Sequence, residues 1–113
     1  KKRDLTLAVA ITDQAGNLVA FARMDGTKPI VLNVALGKAF TSAVARNTTK
    51  AVQEKAQPGG PAFGGVTNIP GIMTIQGGVP IFENGQCVGA IGVSGTAATE
   101  DQEIAELAIK MND

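Results

Sequence analysis

Residues 5–24, LTLAVAITDQAGNLVAFARM, decide the fold. Leu5, Leu7, Val9 and Ile11 alternate with Thr6, Ala8, Ala10 and Thr12. A period of two belongs to a strand, here with one greasy face and one face of small residues. Residues 13–17, DQAGN, form a turn cluster, and residues 18–24 read as a second strand. The five-residue connection is too short for a helical crossover, so the two strands pair antiparallel.

Downstream of this hairpin, Pro29 sits where a first helical turn tolerates it. Ile30, Val31, Val34, Ala35, Ala39, Val44 and Ala45 follow at broadly helical spacing. Small residues dominate the middle of this helix, which predicts close packing on the sheet; Gly37 costs about 1 kcal/mol relative to Ala unless such an approach offsets it. A short second helix is expected over residues 49–57, with Thr48 as its cap and Pro58 as its stop. Residues 58–71, PGGPAFGGVTNIPG, carry five glycines and three prolines, and read as an ordered loop, a lid or a passive connector. Residues 72–75 and 79–83 are short strand candidates. Asn84-Gly85 is a strong two-residue hairpin signal before a strand over 86–93. The last element, 99–111, is an amphipathic helix with Ile104, Leu107, Ala108 and Met111 on one stripe and a Thr99/Gln102 capping box. The order is two strands, two helices, three strands and a helix. It predicts one α+β domain over residues 1–113, a five-stranded antiparallel sheet flanked by helices.

Composition excludes several function classes. Ten basic and ten acidic residues cancel over 113 residues, which leaves no positive field for nucleic acid or an anionic membrane. There is no histidine, so the usual imidazole base, zinc ligand and haem ligand are all missing. A lone Cys87 closes no internal disulfide, and the cytoplasm is the expected compartment, with a removed leader also compatible. No run of eighteen apolar residues exists, so no membrane partner is expected.

The candidate sites each carry a bland alternative. Residues 89–95, GAIGVSG, suggest a phosphate loop, but the spacing G-x-x-G-x-x-G inside an apolar strand is not the dinucleotide fingerprint. Gly89 and Gly92 then relieve crowding under the helices, while Ser94-Gly95 turn the chain out of the strand. Arg23, Asp25 and Lys38 stand near predicted element ends. Arg23 as a fork and Lys38 as a point charge suit a carboxylate or propionate; the alternative is an internal ion pair of Asp25 with Arg23 or Lys38. Cys87 among apolar neighbours reads as an inert buried thiol. Met24, Met73 and Met111 suit core packing or a soft metal, and Glu83, Glu100, Asp101 and Glu103 suit a hard cation such as iron or a helix start.

Four separated motifs, LTLAVAITDQAGNLVAFARMDG, LGKAFTSAV, IQGGVPIFENGQCVGAIGVSG and TEDQEIAELA, resemble the GlcG/HbpS-like family over roughly residues 5–108. That family also occurs as the C-terminal domain of PduO-type proteins. The resemblance implies a profilin-like fold and an oligomeric small-ligand-binding protein, with haem, iron or corrinoid as ligands and without established catalysis. The family pattern falls on Asp13, Gly16, Arg23, Asp25, Lys38, Ala39, Gly77, Gly78, Pro80, residues 89–95 and Asp101. Arg23, Asp25, Lys38, Gly77, Gly78 and Ser94 are the expected ligand-binding set. Two departures stand out: the family's N-terminal helix is missing or reduced to KKRD, so the surface it covers is expected to be open unless residues precede this stretch, and ligation by histidine is impossible. The rival readings are an enzyme or accessory acting on a small organic acid, with Asp25 or Asp101 in acid-base work, and a structural assembly module.

Overall fold

The computed structural model describes residues 6–65 and 68–111. Its elements are β1 (Ala8–Asp13), β2 (Leu18–Arg23), α1 (Pro29–Ala45), α2 (Thr49–Lys55), β3 (Gly78–Glu83), β4 (Gln86–Ser94) and α3 (Ala98–Lys110). The sheet runs β2-β1-β4-β3, antiparallel throughout. Both hairpins form at the expected places. Asn84 and Gly85 take φ of 52° and 79°, the paired left-handed geometry that follows the twist of the flanking strands. At the first turn the Asp13 carboxylate accepts the Ala15 and Asn17 backbone N–H groups, each at 2.9 Å, and holds the chain end to end. Its pKa is lowered, chiefly by the Asn17 N–H.

The α+β class holds, but the described residues form four strands and not five. Residues 72–75 lie across α1 instead of joining the sheet: the Met73 N–H donates to Thr41 Oγ1 at 2.7 Å, so its hydrogen bonding is spent on the helix. Gly37 permits this contact, since a Cβ there would sit 2.9 Å from Met73 Cβ. The close approach predicted at Gly37 is therefore to this segment. β3 is left as an edge strand, where the missing N–H of Pro80 is tolerated.

Alternation along β1 feeds two cores. Leu7, Val9 and Ile11 join Ile91, Val93 and the α3 residues Ile104, Ala105, Ala108 and Ile109. Ala8 and Ala10 join Ala35 and Ala39 of α1 with Phe21, Val31 and Leu36. The helices thus cover opposite faces. The α1 side is built from alanine and glycine, which brings helix backbone onto strand backbone: a Cβ at Gly92 would lie 2.4 Å from the Ala35 carbonyl oxygen and 2.5 Å from the Ala39 nitrogen. Gly89 differs, because its neighbour is the Thr12 carbonyl of β1 and no helix.

Helix ends follow the predicted chemistry with two corrections. Pro29 opens α1, and Thr48 Oγ1 accepts the Ala51 N–H at 3.1 Å as the α2 cap. α2 ends at Lys55, ahead of the expected residue 57. The Thr99/Gln102 capping box does not form: α3 starts one residue earlier, behind Ala97, which has no capping side chain. Asp101 takes the role by reaching back to the Thr96 N–H at 3.1 Å, and Thr96 Oγ1 donates to Glu100 Oε1 at 2.6 Å. Among the described residues no helix is long and apolar enough to cross a membrane.

Candidate functional site

Lys38 is the chemical centre of the α1 layer. It is 1% exposed, and its Nζ donates to the Val93 carbonyl at 2.7 Å and to Asp101 Oδ2 at 3.1 Å; Asp101 is 2% exposed. The pair forms because β4 feeds α3 through a three-residue turn, which sets Asp101 in the first turn of α3, beside the end of β4 where Lys38 arrives. A carboxylate there suits the positive end of the helix. Gly77, at φ +138°, makes room: a Cβ would sit 2.6 Å from both Lys38 Nζ and Val93 O. Gly78 clears the Lys38 carbonyl and Ser42 Oγ in the same way, and its N–H donates to Thr49 Oγ1 at 2.9 Å. Burial lowers the Lys38 pKa and raises that of Asp101, each against their mutual attraction.

Of the six expected ligand-binding residues, the structure brings four together. Lys38, Gly77 and Gly78 converge, with buried Ser94 next to Val93. Arg23 and Asp25 are exposed at the end of β2 and beyond it. The ion-pair alternative is realised with a different acid, Asp101 in place of Asp25. Nothing in the spacing of residues 38 and 101 marks them as neighbours; the signal available was a single ammonium within a run of small residues, which needs a buried anion.

Two hollows lie elsewhere on α1. One, about 450 Å³ and open, is lined by Leu36, Gly37, Phe40, Gly71, Ile72 and Met73, with Asn33 as its polar member. The other, about 300 Å³ and more enclosed, lies between α1, α2 and the glycine-rich segment, lined by Val44, Val52, Ala62, Ile69 and Ile72, with Asn47 and Lys55 as its polar members. Ile72 belongs to both. Sequence reasoning missed these walls because the 58–71 segment shows no periodicity. A smaller hollow of about 190 Å³ adjoins Arg23, formed with Leu7, Val9, Ala22 and Met24. Among the described residues, no three His, Cys, Asp or Glu side chains converge as a metal site. Glu100 and Asp101 are instead engaged with Thr96 and Lys38, and Cys87 is half-buried with its thiol on the Gly89 carbonyl.

The chain resembles known proteins over most of its length. It is 36% identical to protein GlcG of Escherichia coli (strain K12) over 94 residues, 83% of this chain and 68% of that one. It is 28% identical to the corrinoid adenosyltransferase PduO of Salmonella typhimurium over 104 residues, 91% of this chain but 31% of that longer protein. The solved structure of a PduOC:haem complex superposes with a TM-score of 0.88 at 27% identity, covering 94% of this chain and 78% of the other. A family model described as haem degrading protein HbpS-like matches residues 1–110. With that match spanning nearly the whole chain and the fold agreeing, the chain belongs to the HbpS-like family.

Proposed function

We propose that this protein is an oligomeric binder of a haem-like tetrapyrrole, a corrinoid or a related anionic small molecule, with no nucleic-acid or membrane partner. The observation that carries the reading is the open hollow of about 450 Å³ on α1. Its walls are apolar, as the face of a flat ring requires, and Phe40 supplies an aromatic surface. Gly71 keeps it open, since a Cβ there would meet the Phe40 ring at 3.1 Å. The haem complex of PduOC and the corrinoid chemistry of PduO support the ligand class.

The donor set fits a tetrapyrrole held mainly by its ring. Without histidine, Met73 is the soft donor that this hollow offers, and its backbone is fixed by Thr41. A bound metal centre supplies ligand exchange and redox chemistry; the chain's own residues bind the ring and exclude water from one face. Arg23, exposed, is available to a carboxylate, and Asp25, also exposed, to a neighbouring subunit. Lys38, Gly77, Gly78 and Ser94 act as the frame that sets α1, and with it the hollow. Assembly is supported by the exposed apolar side chains of Leu18 and Val19 on the edge strand β2.

The test is an absorbance titration with haemin and, separately, cobalamin, with light scattering to define the oligomer. Saturable stoichiometric binding that weakens about tenfold or more in Met73→Ala is expected. Weak, non-saturating association with both ligands would remove the reading.

A further inference from the structure

We infer that the hollow between α1, α2, Ala62 and Ile69 is a second site, sharing only the Ile72 wall with the open hollow, that takes a short-chain aliphatic carboxylate. At about 300 Å³ it is at the small end of ligand cavities and too small to enclose a tetrapyrrole. Val44, Val52, Ala62, Ile69 and Ile72 make a wall that rewards a hydrocarbon tail and penalises an unpaired polar one.

The polar members select the head group. Asn47 Oδ1 accepts the Thr48 N–H at 2.9 Å, which engages the amide's acceptor and leaves its Nδ2 donors for a ligand. Lys55, in the last turn of α2, has no ion-pair partner among the described residues. Its backbone carbonyl is already occupied, accepting the Ala62 N–H at 2.9 Å. Asn47 Nδ2 and the Lys55 ammonium supply donors and one positive charge to the lining, which matches a carboxylate and disfavours an amine.

The cavity is also preformed. The Ala62-to-Lys55 hydrogen bond folds the glycine-rich segment onto the end of α2, and the Gly60 N–H donates to Gln57 O at 2.8 Å. Gly60 is required there, because a Cβ would sit 2.3 Å from the Lys55 carbonyl oxygen. Segment 57–65 is thus a built wall and no free linker.

The experiment is a calorimetric titration of the whole chain with hexanoate, hexanol and hexylamine. Hexanoate is expected to saturate with a Kd on the order of 0.1–1 mM for a ligand of this size. Hexanol is expected to bind about tenfold more weakly and hexylamine not at all. Lys55→Met should remove the tenfold preference and leave hexanol unchanged, and Ala62→Phe should block both ligands. Lys55→Met alone decides the matter where Ala62→Phe fails to fold. Equal binding of hexanoate and hexanol, preference for the amine, or an unchanged hexanoate affinity in Lys55→Met would overturn the inference. Haemin titration of both variants separates the two sites. Unchanged haemin binding is expected, and its loss in Ala62→Phe with the fold intact would show a single shared site and overturn the inference.

Discussion

Replacing Lys38 by Met should unfold this protein far more readily than replacing Lys38 and Asp101 together. Lys38→Met keeps the length and packing of the stem but leaves the Asp101 carboxylate, 2% exposed, with the Thr96 N–H and no counter-charge. Removing one partner of a buried pair costs about 3–5 kcal/mol. A 113-residue domain has roughly 6–17 kcal/mol in total, so the loss is a large fraction. At a urea slope of about 1–2 kcal/mol per M the midpoint should fall by at least about 1.5 M. Asp101→Asn keeps an oxygen for Thr96 and removes the charge, so Lys38→Met/Asp101→Asn should return to within about 1.5 kcal/mol of wild type. The four proteins form a double-mutant cycle with an interaction energy of at least about 2 kcal/mol; a value below about 0.5 kcal/mol would refute the reasoning. The raised Asp101 pKa means a contribution fully present below 3.8 and lost as pH rises through the folded value. The lowered Lys38 pKa means that stability climbs with pH between its folded value and 10.5. Burial works against the charged form of each group, and their mutual attraction works for it. Asp101→Asn should gain on the wild type as pH rises through the window above 3.8.

Three further outcomes follow from the geometry. Gly92→Ala drives a methyl into the α1 backbone, 2.4 Å from Ala35 O, and should cost about 3 kcal/mol by denaturant unfolding; Gly85→Ala, at φ +79° in open space, should cost only about 1–2 kcal/mol. Thr48→Ala removes the α2 cap and should cost about 1 kcal/mol, read as a lowered thermal midpoint. Asp13→Asn should flatten the acid side of the stability profile: the lowered pKa of Asp13 gives stability present above 3.8 and lost as pH falls through the folded value. An unchanged acid limb would show that the turn does not need the charge.

Local signals carried much of the fold. The period of two, the turn at Asp13, Pro29, Thr48 and Asn84-Gly85 each act within a few residues: the strand runs over Ala8–Asp13, with Leu5 outside the described residues, and the other signals appear at their expected places. The fifth strand and the Thr99 cap failed for one reason. Segments of four residues are assigned by what they pack against, and Thr41 and Thr96 were the competing partners. For the site, Lys38, Gly77 and Gly78 were visible as unusual residues, but their shared position was not, because 38 residues separate Lys38 from Gly77.

The sequence by itself determined the α+β class, the two hairpins, the helical layers and the absence of any imidazole chemistry, since these depend on periodicity, turn residues and composition. Only the tertiary structure decided which acid meets Lys38, where residues 72–75 run and where the hollows on α1 lie. Those outcomes rest on contacts between residues distant along the chain, and on Cβ-free glycines whose meaning appears only once a helix backbone lies against them.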